Sequence, residues 1–449
     1  MTMSAADQYM LELMNRARLD PAGEAARYGI DLNQGLAPGT IGSGSKQVLA
    51  PNDLLGAAST QHSMWMIQTD TFSHTGINGT QPWDRASLEG YSWTSIGENI
   101  AWVGTTGAVD LLSSVNALHE NLFLSAGHRQ NLLNDSFREV GVSVETGVFT
   151  SGANYNAAMA TQLYGLSGSA VYLTGVAYTD SDLDLFYSMG EGRGNVVFTA
   201  QNHSDTTEAA GGYALDLVAG SAVAVTGTAG GTAFSCTMDM SAGNVKLDLV
   251  SGSTFFASGS ITLGTGVQNV TLLGLNALAA TGNDSANLLT GNAGNNVIEG
   301  LGGDDKLTGA GGTDQMNGGA GRDNLIGQGG ADRLTGGSDN DTLNGGGGAD
   351  VLIGGTGKDR LTGGDGADVF IFAEGDSRDT IKDFSVSAKD VMQLDDAIWA
   401  GTTLSKSQVV SQFASVTVDG VLLDFGDGQT ILLSGLTTTS GLSAQIEII

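Results

Sequence analysis

The sequence predicts a multidomain α+β chain: a mixed helix–strand N-terminal region, a small β-sandwich, and a C-terminal parallel β-roll of nonapeptide repeats. Three observations predict it: a nine-residue repeat in the C-terminal half, short alternating apolar runs before it, and a first third in which helical and strand periods alternate. The repeat is the most specific. Between Gly300 and Ile371 eight copies follow in register: GLGGDDKLT, GAGGTDQMN, GGAGRDNLI, GQGGADRLT, GGSDNDTLN, GGGGADVLI, GGTGKDRLT and GGDGADVFI. Glycine opens every copy, aspartate holds the sixth place, and Leu, Met or Phe holds the eighth. Two weaker copies, from Gly282 and Gly291, carry Asn where the aspartate belongs.

The spacing dictates a chemistry. A glycine-rich stretch takes the left-handed conformations of a tight turn and leaves its carbonyls open. The aspartate sets a carboxylate beside them, and such hard oxygen donors suit Ca²⁺. The last residues of each copy form a strand whose apolar member faces inward. Two copies make one turn of coil, so Asp305, Asp323, Asp341 and Asp359 stack on one edge and Asp314, Asp332, Asp350 and Asp368 on the other. Rungs about 4.8 Å apart bring like charges close enough to repel by roughly 1 kcal/mol per neighbour, and cations reverse that sign. A flexible linker would not keep Leu307, Met316, Leu325, Leu334, Leu343, Leu352, Leu361 and Phe370 in strict register. The repeat resembles the haemolysin-type, or RTX, calcium-binding repeat.

At 449 residues the chain has room for several domains. Forty-eight acidic against eighteen basic residues give a net charge of −30, which argues against nucleic acid or an anionic membrane as partner. Hydrophobic residues make up 41% of the chain, which speaks for packed cores rather than disorder. A single cysteine, Cys236, excludes an intrachain disulfide. No apolar run reaches the length of a transmembrane helix. The first residues lack the basic and apolar regions of a Sec signal. Ser4 and Asp7 read instead as the start of a helix with Met10, Leu13, Met14 and Ala17 on one face.

Residues 1–168 alternate helices and strands. Asp20-Pro21 starts a second helix that stops at Gly29. A third starts near Asn52 and carries Leu55, Ala58, His62 and Trp65, and a fourth runs from about Gly107 to Leu124 with Leu112, Val115, His119 and Leu122 on one face. Val140–Val144 and Met159–Tyr164 read as strands.

Three polar motifs lie among these elements: Phe72-Ser73-His74, Gly97-Glu98-Asn99-Ile100, and Ser125-Ala126-Gly127-His128-Arg129 followed by Gln130-Asn131-Leu132-Leu133. At these residues the region resembles the CAP superfamily of cysteine-rich secretory, venom-antigen and plant pathogenesis-related proteins, its bacterial branch above all. The resemblance covers roughly the first 160 residues and implies an α-β-α sandwich, normally exported, with a cleft that in many members holds two His and two acidic residues. His74 and Glu98 fall on the first His and the first Glu. The second acidic place falls near Ser125 and the second His at Met159, so half of that set is absent; His128 or His119 are candidates to substitute. The pair His74–Glu98 suits zinc or another divalent ion. Each residue has a plainer role too: His62 and His119 as packing histidines, Glu98 as an acceptor that fixes its loop.

From 169 to 267 the pattern reads as a small β-sandwich, with strands at Ala170–Tyr178, Val196–Thr199, Tyr213–Val218, Ala222–Thr226 and Val245–Val250. Its first loop carries Asp180, Asp182 and Asp184, with Glu191 seven places later. That is the oxygen spacing of an EF-hand without its glycine or its helices, and it marks a further candidate calcium loop. Residues 268–376 form the roll and 377–449 a β-rich cap. The cap resembles the C-terminal export signal of RTX proteins, which implies the type I secretion machinery as a partner and places the chain outside, or on the surface of, a Gram-negative bacterium.

Three functions compete. The first is a secreted calcium-binding protein whose CAP-like domain binds an extracellular ligand: a lipid, peptide or surface component. The second is a metal-assisted, peptidase-like hydrolase using His74, Glu98 and a third ligand such as His128. The third is a surface-layer or adhesive protein. No H-E-x-x-H, G-x-S-x-G or cysteine nucleophile occurs in the N-terminal region, which weighs against the common hydrolases.

Overall fold

The computed structural model describes residues 3–399 and 403–449, so the expected cap at 377–449 includes three residues, 400–402, that lie outside the description. The chain divides into two compact units, Met1–Gly259 and Ser260–Ile449. The regions 1–168 and 169–267, expected as separate domains, fall almost wholly within the first unit.

The first unit begins with α1 (Ala5–Leu19), whose N-terminus is closed by a capping box between Ser4 and Asp7. Next come α2 (Pro21–Arg27), β1 (Ala50–Pro51), α3 (Asp53–Gln68), α4 (Pro82–Leu88), β2 (Ser95–Thr105), α5 (Leu111–Leu124), α6 (Ala126–Leu132), β3 (Glu139–Thr150) and β4 (Asn154–Leu166). The four strands form one sheet in the order β1-β3-β4-β2. Period-2 alternation along β2 and β4 decides what each face meets. Glu98, Ile100, Leu163 and Met159 face α3 and α4, whereas Asn99 and Gln162 face α1 and α6. Helices cover both faces, which is the α-β-α arrangement implied by the resemblance. Two glycines permit close contact: a Cβ at Gly141 would stand 2.0 Å from the Leu55 backbone, and one at Gly147 2.5 Å from Ile67.

The structure departs from the sequence reading where a segment lacks a clean period. Helix α5 starts at Leu111 rather than near Gly107, because Asp110 takes the N-cap position. The short helices α4 and α6 carry too few turns to show an apolar stripe.

Eight more strands complete this unit: β5 (Val171–Tyr178), β6 (Val197–Ala200), β7 (His203–Thr206), β8 (Gly212–Leu217), β9 (Val223–Ala229), β10 (Thr232–Met238), β11 (Val245–Val250) and β12 (Thr254–Ala257). Within the unit they run in two orders, β8-β5-β11-β12 and β7-β6-β9-β10. Aromatic side chains join the two sets: Phe198 stacks on Tyr213 with centroids 3.8 Å apart, and Phe234 meets Phe255 at 5.6 Å.

In the second unit the chain winds as a parallel coil of about eight turns. Within the repeats each strand pairs with the strand eighteen residues on, so Leu307 aligns with Leu325, Leu343 and Leu361 on one wall. Ile298, Met316, Leu334, Leu352 and Phe370 align on the other. All of these inward residues are 2% exposed or less. Parallel pairing starts before the glycine repeats, at Ile261–Leu263 and Asn269–Leu272. It continues beyond them through Arg378–Ile381 and Val391–Leu394 to Gln429–Ser434 and Ile446–Ile448.

Candidate calcium ladder and N-terminal cleft

The eight repeat aspartates lie where the spacing puts them, in two stacks, each 3% exposed or less. One carboxylate oxygen of each is used within the protein. Asp323 Oδ1 accepts from the Asp305 backbone N–H at 2.8 Å, Asp341 from Asp323 at 2.8 Å, and Asp359 from Asp341 at 2.8 Å. On the other edge Asp332, Asp350 and Asp368 accept in the same way from Asp314, Asp332 and Asp350. The second oxygen, Oδ2, is buried without a partner in all eight.

The opening glycine of each copy exists for that oxygen. A Cβ on Gly300 would stand 2.2 Å from Asp305 Oδ2 and 2.5 Å from the Gly318 carbonyl oxygen. The same pairing of Oδ2 with a carbonyl recurs at Gly309, Gly318, Gly327, Gly336 and Gly345. Unpartnered carboxylate oxygens gathered with main-chain carbonyls make a donor set that suits a hard cation and leaves nothing for a thiophilic one. Burial pushes the Asp305 carboxyl up to about 7, and burial with the charges of Asp359 and Asp323 pushes Asp341 up to about 8. Without a cation the ladder is costly to ionise.

Both stacks extend past the repeats. Asp359 N–H donates to Asp379 Oδ1 at 2.9 Å, and Asp368 N–H to Asp390 Oδ1 at 3.2 Å. An eighteen-residue spacing does not place these two on the ladder, because their intervals are 20 and 22 residues. The signal was present in the triplets Asp379-Thr380-Ile381 and Asp390-Val391-Met392, which repeat the aspartate-x-apolar end of a nonapeptide. At the other end Asn287 and Asn296 donate to Asp305 and Asp314 at 2.7 Å and close the stacks without charge.

In the N-terminal cleft His74 and Glu98 do meet. His74 Nδ1 and Glu98 Oε1 are 2.8 Å apart, the imidazole half-exposed and the carboxylate buried. The other Glu98 oxygen accepts from Arg85 Nη2, and Arg85 Nη1 ties the turn to the His74 and Thr80 carbonyls at 3.0 Å each. Asn131 Nδ2 donates to the Glu98 carbonyl at 3.2 Å and to Asn99 Oδ1 at 3.1 Å, and Asn99 donates to the His128 carbonyl at 3.0 Å. The three motifs are thereby stitched together.

The zinc or other divalent ion expected at His74 and Glu98 finds no support. The permanent guanidinium of Arg85 holds one Glu98 oxygen, and the other is in direct hydrogen-bond contact with His74 Nδ1 at 2.8 Å. Among the described residues the only triad of acidic, His or Cys ligand atoms within metal reach is elsewhere, at Asp180, Asp182 and Asp184. The substitutes do not complete a set either. His119 is fully buried and bonded to Glu24 at 2.9 Å. There, hydrogen bonds from His119 and Arg16 outweigh the burial of Glu24 and hold it down at about 2. His128 does not join His74 and Glu98 in a ligand group. Met159 lies in the core beside Met66 and Ile100, and Ser125 sits at the junction of α5 and α6. His62, 1% exposed, stacks on Trp65 with neither ring nitrogen hydrogen-bonded, and burial pushes it down to about 4.

The acidic loop is partly as expected. Asp180, Asp182 and Asp184 converge to within 4.8 Å. Glu191 does not join them. Its Oε1 accepts from the Ser181 N–H and hydroxyl at 2.7 Å and its Oε2 from the Ser188 N–H at 2.9 Å, so it braces the loop from inside.

Known proteins divide the chain the same way. The Cysteine-rich secretory protein family (CAP) matches residues 11–159. The RTX calcium-binding nonapeptide repeat matches at 281–316, 308–343, 317–352 and 344–378. The chain carries a CAP domain followed by RTX repeats. Among solved structures, an extracellular SCP-domain protein from Bacillus anthracis is 25% identical over 27% of this chain and 35% of its own, with a TM-score of 0.21. An outer surface protein of Borrelia burgdorferi is 21% identical over 27% of this chain and 78% of its own, with a TM-score of 0.21. An extracellular lipase of Serratia marcescens is 19% identical over 38% of this chain and 40% of its own, at 0.19. No curated protein matches the chain. The RTX repeats make this a calcium-binding protein, and among the described residues no helix is long and apolar enough to cross a membrane.

Proposed function

We propose that this is a secreted calcium-dependent binding protein, in which the RTX roll folds on Ca²⁺ outside the cell and the CAP domain holds an extracellular ligand without catalysing its conversion. The observation that carries the reading is the row of eight buried Asp Oδ2 atoms, Asp305 to Asp368, none with a partner in the protein. Each would supply one ligand oxygen, together with repeat carbonyls. Asp180, Asp182 and Asp184 would hold a weaker ion at the surface.

The binding role of the CAP domain, rather than hydrolysis, is supported by the Arg85–Glu98 pair. A carboxylate tied to a guanidinium is a poor general base and a poor metal ligand. Exposed Phe72, Ile77, Trp83 and Trp93 offer apolar surface near the cleft motifs. Export by type I secretion is supported by the RTX-like C-terminal end.

Calcium titration of the purified chain, read by elemental analysis after gel filtration, should find several ions per chain, and Asp323→Asn with Asp341→Asn should lower the number. A calcium-free chain with an intact roll would refute the reading. Removing Leu404–Ile449 should trap the chain inside a secretion-competent host, whereas a truncated chain in the medium would refute that export route. Metal-dependent peptide or ester hydrolysis abolished by His74→Ala would favour the hydrolase instead.

A further inference from the structure

We propose that a cavity inside the first unit, walled by α1, the β1–α3 turn and strands β5, β7 and β8, binds an organic polyamine. The cavity holds about 560 Å³, within the range of small-molecule sites, and is separate from the His74–Glu98 cleft. Four carboxylates line it, Asp53, Asp205, Glu208 and Asp216, and no Lys, Arg or His does. Walls of one sign in a concavity concentrate the opposite charge. No ion pair engages Asp205, Glu208 or Asp216 among the described residues. Asp205 accepts only main-chain N–H bonds, from Thr206 at 2.8 Å and Ala214 at 2.9 Å.

A second observation points to a donor ligand. Gln8 lines the cavity, is 1% exposed, and gives its amide N–H to Glu12 at 2.8 Å, while its carbonyl oxygen has no hydrogen-bond donor. A buried acceptor without a donor is costly, and an ammonium N–H satisfies it. Tyr172 and Tyr213 add aromatic wall, which suits an alkylammonium chain.

The spread of the charges selects the class of cation. A metal ion needs its oxygens gathered around one point, and these four carboxylates form no such group: among the described residues only Asp180, Asp182 and Asp184 do. Carboxylates carried by different parts of the wall, Asp205 on β7, Glu208 on the turn after it and Asp216 on β8, fit a chain with several ammonium groups rather than one ion.

The test is calorimetric titration of the full chain with spermidine, calcium held saturating throughout so that the roll's own sites are filled. Wild type should bind, more weakly at high salt. Glu208→Gln with Asp216→Asn should weaken binding by roughly tenfold or more. A charge-matched surface pair, Glu120→Gln with Asp419→Asn, should leave it unchanged. In the wild type, spermidine should also slow amide exchange across Asp205–Asp216. Absence of binding, equal loss in both double variants, or protection elsewhere would overturn the proposal. The calcium reading stands or falls separately, because it is read from ion content rather than from spermidine.

Discussion

The two units neutralise their buried carboxylates in opposite ways. In the CAP-containing unit the acids of the core meet partners encoded in the chain: Glu24 meets Arg16 and His119, Glu98 meets Arg85 and His74, and Lys246 sits between Glu12 and Asp248. Glu139 accepts from Asn52 and Tyr91 at 2.7 Å each. In the roll, eight buried aspartates each keep one oxygen without any partner. The first unit carries its own counter-charges, and the second must import them. A protein built this way keeps the core of one half folded without calcium and makes the other half conditional on it.

Calcium removal should give the largest difference. At about ten times Kd each site adds on the order of 1.4 kcal/mol, so the eight repeat sites contribute roughly 11 kcal/mol, a whole domain's stability. Calorimetry should show one unfolding transition that collapses in chelator and one that stays. Two transitions moving together would erase the contrast.

Breaking the internal pair should hurt the first unit alone. Glu98→Ala leaves Arg85 buried without its carboxylate, at a cost of about 3 kcal/mol. His74→Ala, which removes a half-exposed partner, should cost under about 1 kcal/mol. Thermal melts of both variants in saturating calcium give the comparison. Equal costs would mean that Arg85, not His74, is the dispensable partner.

Acid should act with opposite signs. His62 is held down at about 4 against an ordinary value near 6.5, so its contribution is full above pH 6.5 and is lost as the pH falls toward 4. The loss amounts to about 3 kcal/mol in the first unit. The roll carboxyls are held up, Asp305 at about 7 and Asp341 at about 8. The empty roll is therefore favoured below about pH 4, the ordinary carboxyl range, and loses that support as the pH rises through 7 to 8. Calcium-free melts across this range should show the first unit weakening and the second gaining as acid is added, and His62→Phe should flatten the first slope.

How much of this was legible in the sequence follows from the same contrast. The ladder could be read because each copy declares its aspartate and its inward apolar residue at fixed places. The reading stopped at Asp379 and Asp390 because insertions changed the interval while the backbone kept the stack. In the CAP domain the motifs located His74 and Glu98, but nothing in the spacing revealed that Arg85, thirteen residues before Glu98, would occupy its second oxygen. Helix α4, which carries Arg85, is only seven residues long and has no readable stripe. Contacts made by long side chains across a fold are set by packing, and packing is not periodic.

A small effect probes the repeat backbone itself. Gln328 holds φ +73° at a repeat place where most copies have glycine. A left-handed non-glycine residue costs about 1 kcal/mol, so Gln328→Gly should raise the second unit's melting point slightly and leave the first untouched. A fall would mean that the side chain contributes more than its backbone strain costs.

The central claim is that the second unit draws its counter-charge from calcium and the first does not. Hydrogen exchange of the full chain, with calcium and in chelator, tests it most directly. The account predicts that amides from Val297 to Phe372 are protected with calcium and exchange rapidly without it, while β3, β4 and α5 keep the same protection in both. Protection of Val297–Phe372 that survives chelation would contradict it.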